Sequence, residues 1–577
     1  MGIAGRTLSE TDPTESTDGW RSNAKDAVGC VSLSHKFKCL LIDIIRTNAW
    51  KKDGESMRLR FGNMIDEAEK KWACNVLGLL TDNDGGSKKG RKVLGDVSPW
   101  LLLFPCCGHQ GQLILAKYLR ENPKAAQIFE ELIDCVNWIN SKDKVRDIFD
   151  KTQLEMDKYG KILAYILPNL TRWTTHLVAA LRFAILKAPI RNAILNKRAE
   201  SSRRKRDEMR EDAMAQCATL EPNAWWDDLE KIIPDLEHIC YLTNIAQSDQ
   251  VRPDQFLLAL TGLFLHFRTH VCAHRKRFKE LDQSVFILAL VLNPFQKLSR
   301  FGDKANIDQF VLSTEIVTER INSRPPSTPR TPEAQQQHDA RQKLAIRSLS
   351  VALMQYLSGT GPFANWEKPH IQETYCKLHG NNPIPYWEAF RTNGQVAELA
   401  KFALRLLYLV MNQAGLECWF SDFSNKKNKK CNRLGLTKMG QQSKVMRNLR
   451  EKQFAEGLAE KREGRENHSE AQTKLLLAVP RYAAALLSDT DDSDGEATEQ
   501  VSVILKSKAA WRRQLAKWEQ ELRDAEAEAP NWEASAPPSG CESVTEESLY
   551  MELLAAEYSD EEPDAGAQEG SGDDFEA

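Results

Sequence analysis

The chain is 577 residues long and nearly neutral, with 78 Lys and Arg against 81 Asp and Glu for a formal net charge of −3. At roughly 150 residues per domain this length suits three or four domains, or one large domain with a big insertion, and it excludes a small disulfide-stapled scaffold. The near-zero total hides two opposite regions: Arg481 to Ala577 holds 7 basic and 25 acidic residues, hence −18, which leaves +15 on residues 1 to 480. A basic body with an acidic tail points to a polyanionic partner, with the tail as a solvated or self-competing arm. The 13 cysteines are scattered without framework spacing and read as those of a reduced, intracellular protein. Met1 to Arg6 offers no apolar secretory core, and the longest apolar stretches, Phe256 to Leu265 and Val285 to Leu292, fall far short of the roughly 20 residues that span a bilayer. No membrane partner is expected.

In chain order, Ala27 to Leu33 and Leu40 to Ile45 are short β-rich apolar runs, and Met57 to Trp72 has helical spacing. Val76 to Leu80 reads as a strand running into Thr81-Asp82-Asn83-Asp84-Gly85-Gly86, followed by a helix at Lys88 to Leu94 and a strand at Leu101 to Phe104. This is an α/β core over residues 1–125. From Gly111 onward apolar residues recur at three and four, and residues 126–380 read as a large helical insertion with linkers near 198–210 and 324–342. Residues 381–455 hold a very apolar helix, Val396 to Met411, and then a basic run. Residues 456–577 read as a mostly disordered acidic tail, broken by a helix near 501–524 in which Trp511, Leu515, Trp518 and Leu522 step by four, three and four.

Phosphodiester cleavage by two metal ions needs hard oxygen ligands converging from distant parts of a chain. Asp82 follows a buried strand, at the end where an open α/β sheet presents its ligands, and Asp18 heads Asp18-Gly19-Trp20. Either acid alone could equally be a turn or cap residue. Cys106 and His109 have the separation of a zinc pair, but no second pair follows, so no structural zinc is expected. His266 and His270 could share a helix face with Cys272 and His274 near, although surface histidines are the default there. Lys426 to Lys452 holds ten basic residues and the single acid Glu451, which suits DNA backbone contact or nuclear import, and Arg203 to Arg206 is a second import candidate.

Several landmarks occur in a telling order: Thr17-Asp18-Gly19-Trp20, Thr81-Asp82-Asn83, Cys106 to Leu115, Leu170-Thr171-Arg172-Trp173-Thr174-Thr175-His176, Pro383 to Trp387, Ala414 to Ser421 and Lys429 to Leu434. Together they resemble the hAT superfamily of DNA transposases over about residues 5 to 455. The resemblance implies a ribonuclease-H-like fold interrupted by an all-α insertion and ending in a dimerisation region. It implies an acidic triad of Asp18, Asp82 and Glu417 holding Mg²⁺ or Mn²⁺, with DNA and a second copy of the chain as partners. No small-molecule cofactor is implied, and the expected location is the nucleus. By the same resemblance His109, Arg172 and Trp173 contact DNA, with Trp173 against a flipped base, and Lys426, Lys427, Lys429, Lys430 and Arg433 form a phosphate-contacting strip.

Three departures from that pattern predict an impaired site, or a catalytically inactive nuclear DNA- or protein-binding scaffold. Ser9 to Thr17 is polar and contains Pro13 where relatives carry an apolar first strand, so the first strand is expected to be missing and the chain to be shortened at its N-terminus. Cys418 stands where the family has Arg after its catalytic Glu. No zinc finger of BED type is expected ahead of the core.

Overall fold

The computed structural model describes residues 8–21, 27–48, 51, 53–156, 162–168, 175–196, 207–248, 250–267, 281–299, 301, 307–326, 330–426, 434–458 and 508–527. Its first element corrects the sequence reading. Thr14–Arg21 is a strand, β1, and it occupies the centre of the sheet. It pairs antiparallel with β2 (Ala27–His35) and parallel with β4 (Gly78–Thr81). A sheet ladder is made by backbone groups, so a polar segment can form one, and Thr is a good strand residue. Pro13 does no harm because it lies just ahead of the strand, where only its carbonyl is used, accepting from the Leu77 N–H at 2.9 Å.

The remaining strands are β3 (Lys38–Arg46), antiparallel to β2, and β5 (Leu102–Pro105), parallel to β4. The sheet order is β3-β2-β1-β4-β5. Helices α1 (Gly54–Trp72) and α2 (Gly85–Val97) cover one face. Asp53 caps α1 and Asp84 caps α2, each accepting from a backbone N–H three residues on. Val31, Leu33 and Leu79 pack there against Phe61, Met64, Ile65 and Leu94.

After β5 the chain enters helices: α3 (Cys107–Glu121), α4 (Pro123–Ser141), α5 (Asp143–Met156), α6 (Thr175–Ile185), α7 (Lys187–Leu195), α8 (Asp207–Leu220), α9 (Asn223–Ala246), α10 (Pro253–His266), α11 (Gln283–Val291), α12 (Ile307–Asn322), α13 (Pro332–Leu357), α14 (Pro369–His379), α15 (Pro383–Phe390) and α16 (Ala397–Leu407). One apolar core runs from Leu80 and Phe104 through Trp226, Phe256, Tyr356 and Trp387. Its buried charges are matched: Arg252 donates to Asp254 at 3.0 Å, and Asn293 donates to the same carboxylate at 2.9 Å. Arg320 and Arg324 tie the insertion back to the sheet by donating to the carbonyls of Pro99, Leu101 and Val76.

The linker expected near 324–342 is helical in its second half. Thr331 caps α13 by accepting from Ala334 N–H, with Pro332 and Glu333 in the first turn, so the Pro-Thr composition marks a helix start. After α16 the segment 408–413 returns to the sheet and delivers α17 (Ala414–Lys426) and α18 (Leu436–Ala455), which pack on the face of β2 and β3 opposite to α1. A last helix, α19 (Lys508–Ala527), docks on α3 and α4 of its own chain. Its Trp511 and Trp518 are buried, with ring centroids 5.3 and 5.6 Å from His176. Its neighbours in the acidic tail lie outside the described residues. Among the described residues no helix is long and apolar enough to cross a membrane.

Candidate active site

The parallel ladder fixes which residues meet at its carboxyl end. Thr17 is paired with Thr81, and Thr81 with Pro105. The next residues on the three strands are therefore Asp18, Asp82 and Cys106, a row across strands spaced about 4.8 Å apart. This is the end of an open α/β sheet where ligands collect.

Each member is held by backbone geometry. Asp18 accepts from Gly19 N–H at 2.6 Å. The Thr81-Asp82-Asn83 turn is braced by Arg91 of α2, a buried side chain whose guanidinium donates to Thr81 Oγ1, to the Asp82 carbonyl and, at 2.8 Å, to Asn83 Oδ1. Cys106 N–H donates to the Thr81 carbonyl at 2.9 Å and Cys107 N–H to the Met411 carbonyl at 2.8 Å. The latter bond seats the first turn of α3, which carries the half-buried His109, beside the returning segment.

Glu417 arrives on the first turn of α17. Gln413 anchors that turn, its amide donating to the Thr17 carbonyl at 2.6 Å while its own carbonyl accepts from Glu417 N–H at 3.0 Å. The three acids are thereby brought within electrostatic reach of one another. Burial pushes the Asp18 carboxyl well above its ordinary range, Asp82, Glu417 and Asp84 push it further, and the Gly19 N–H opposes them. Burial likewise pushes the Cys106 thiol up to about 12, with Glu417 and Asp18 adding to the shift against hydrogen bonds from the His109 and Gln413 backbones.

A set of carboxylates that repel one another is the donor set a hard divalent cation would neutralise, so the residues fit Mg²⁺ or Mn²⁺ in charge and ligand type. Among the described residues, however, no three His, Cys, Asp or Glu side chains stand close enough to share one ion. Glu417 and Cys418 are exposed, and Cys418 brings no cation to the carboxylates.

Other sequence candidates fall elsewhere. Arg172, Trp173, Lys427, Lys429, Lys430 and Arg433 lie outside the described residues. Lys426 is spent internally, paired with Asp422 one turn back and donating to Ser443 Oγ at 2.8 Å. Its ammonium is thus engaged between α17 and α18. His266 is bonded to Asp235 at 2.7 Å and stacked on His238, a structural pair, while His270, Cys272 and His274 lie outside the described residues. Arg91 and Gln413 are not visible as site residues from the sequence, since each acts by bracing a turn or helix start rather than through a motif. No protein-family model and no curated protein matches the chain.

Proposed function

We propose that the chain is an hAT-transposase-like protein with a ribonuclease-H-like core, binding DNA and cutting and joining its strands with Mg²⁺ or Mn²⁺. The observation that carries this reading is the row of Asp18 and Asp82 at the carboxyl ends of β1 and β4, joined by Glu417 from a helix that follows a long helical insertion. An antiparallel three-strand meander joined to two further parallel strands, with a helical insertion after them, supports the ribonuclease-H-like reading. The central β1 also removes the main reason to expect an impaired site.

In this reading Asp18, Asp82 and Glu417 would hold the metal. A divalent ion there supplies an activated water or 3′-hydroxyl and charge neutralisation at the leaving oxygen. The protein's own part is positioning: Arg91 fixes the turn that presents Asp82, Gln413 fixes the helix that presents Glu417, and Gly19 N–H orients Asp18. Nuclear location and self-association belong to the same reading. For the latter, Val445 and Leu449 lie one turn apart on α18 and are half-exposed, an apolar strip suited to a second copy.

Strand cleavage on a terminal-repeat duplex tests the reading. Asp82→Asn and Glu417→Gln should each lose more than the roughly 10–100-fold typical of removing a ligand's supporting residue. Equal cleavage by all three proteins would sink the enzyme and leave the second reading, a transposase-derived DNA- or protein-binding scaffold. That second reading is favoured by the spacing of the acids, none of which form a three-ligand cluster among the described residues.

A further inference from the structure

Helix α13 outruns its supports. Its C-terminal half lies on the core through Leu349, Leu353 and Tyr356. There α12 runs antiparallel beside it, with Ser350 Oγ donating to Glu315 and the Gln342 amide donating to the Asn322 carbonyl at 3.3 Å. Asn322 is the last residue of α12, so the ten residues Pro332–Arg341 continue about 15 Å past it, and none of them is buried.

The outward face of α13 carries a pattern that suits another helix. From Glu333 its exposed positions step by four, three, four, three and four through Gln337, Ala340, Leu344, Arg347 and Val351, the spacing of a coiled-coil seam. Leu344 and Val351 stand 69% and 57% exposed in that seam. Met354 prolongs it, and Leu312 and Ile316, one turn apart on the outward side of α12, widen the apolar face at its C-terminal end. The charges are sorted along the same helix: Glu333 and Asp339 precede Arg341, Lys343 and Arg347, and α13 holds no other Asp, Glu, Lys or Arg. A helix with its acids at one end and its bases after them is complementary to its own reverse.

We propose that this face binds a second copy of the chain, the two α13 helices crossing antiparallel about a two-fold axis at Ala340. Glu333 and Arg347 lie seven residues to either side of that axis, so each Glu333 meets Arg347 of the other copy. The small Ala340 lets the backbones approach, and each Leu344 closes over the crossing. The surface is distinct from the α18 strip and involves neither the carboxylates nor DNA, so it goes beyond the strand-cleavage reading and stands or falls independently.

Sedimentation of the full chain without DNA or metal tests the proposal, in a Val445→Asp, Leu449→Asp background that removes the α18 strip. Every substituted position is exposed, so each variant should fold normally. The background protein should still self-associate. Leu344→Asp should weaken that association by roughly tenfold or more, because it sets like charges beside each other at the crossing. Arg347→Glu and Glu333→Arg should each weaken it several-fold. The two together restore opposite charges in the reverse sense and should recover most of the lost affinity, a rescue that neither a folding defect nor a different partner produces. A monomer at about 0.1 mM, association indifferent to Leu344→Asp, or no recovery in the double charge reversal overturns the proposal.

Discussion

The two faces of the sheet are built from alternate residues of the same strands, yet they differ in kind. Toward α1 and α2, Val31, Leu33 and Leu79 close on Phe61 and Ile65, and Gly90 of α2 lies so near α1 that a Cβ there would sit 2.5 Å from the Cβ of Met57. Toward α17 and α18 the strands offer Ser16, Ser32, Ser34 and Asp18 beside the apolar Val28, Cys30 and Leu41, and a cavity remains. Close packing supplies stability and polar vacancy supplies a place for chemistry, and β1 serves both because successive side chains point to opposite faces. The closed face anchors the strand rigidly enough for the open face to present Asp18 at a fixed position.

The sharpest way to break this contrast is to open the closed face. Phe61 is 2% exposed and packs against α2 at Gly90, so Phe61→Ala should lower the unfolding free energy by about 3–5 kcal/mol in urea titrations, the usual cost of a phenyl-sized core cavity. A loss below about 1 kcal/mol would mean that the α1–α2 layer is as loose as the open one.

Hydropathy reports burial against apolar neighbours, and that is why it served the closed face and failed the open one. Strands β2 to β5 and helices α1 and α2 were legible from β-branched runs and turn residues, with boundaries moved by one to three positions in the structure. Strand β1 was not, because one of its faces lines a polar cavity and the other carries Glu15. The spacing of Trp511, Leu515, Trp518 and Leu522 revealed a helix, but a helix's apolar stripe does not name the surface it meets, and its seat on α3 and α4 is a long-range fact. In the site, Asp18 and Asp82 were singled out by their strand-end setting and Glu417 only through family resemblance. The register that sets Asp18 beside Asp82 follows from ladder pairing, which no local pattern encodes.

Glu15 is the exception on the closed face. It is fully buried beside Glu69, whose own carboxylate is taken by Arg324 and by Val76 N–H, and neither Glu15 oxygen finds a hydrogen-bond partner. Burial first, and Glu69 second, push its pKa well above the ordinary value. A raised carboxyl pKa means that the folded state holds a proton the unfolded state has released. Stability from this group is therefore fully present below the unfolded value, about 4.3, and is lost as pH rises through the raised folded value. Glu15→Met keeps the volume and removes the charge. It should raise stability at neutral pH by about 1–3 kcal/mol and flatten the decline of stability with rising pH. An unchanged pH slope in the variant would place the titration elsewhere.

The smallest effect belongs to the open face and sharpens the contrast most directly. Ser32 is as buried as any core residue, at 0% exposure, so by burial alone its hydroxyl should matter. It has no partner, however, and an unmade hydrogen bond contributes no stability. Ser32→Ala should leave the unfolding free energy within about 0.5 kcal/mol of the parent or raise it, since the change removes a desolvated group and keeps the Cβ. Loss of more than about 1 kcal/mol would mean that the hydroxyl is already satisfied within the protein, and the open face would then be a packed polar layer rather than a vacant one.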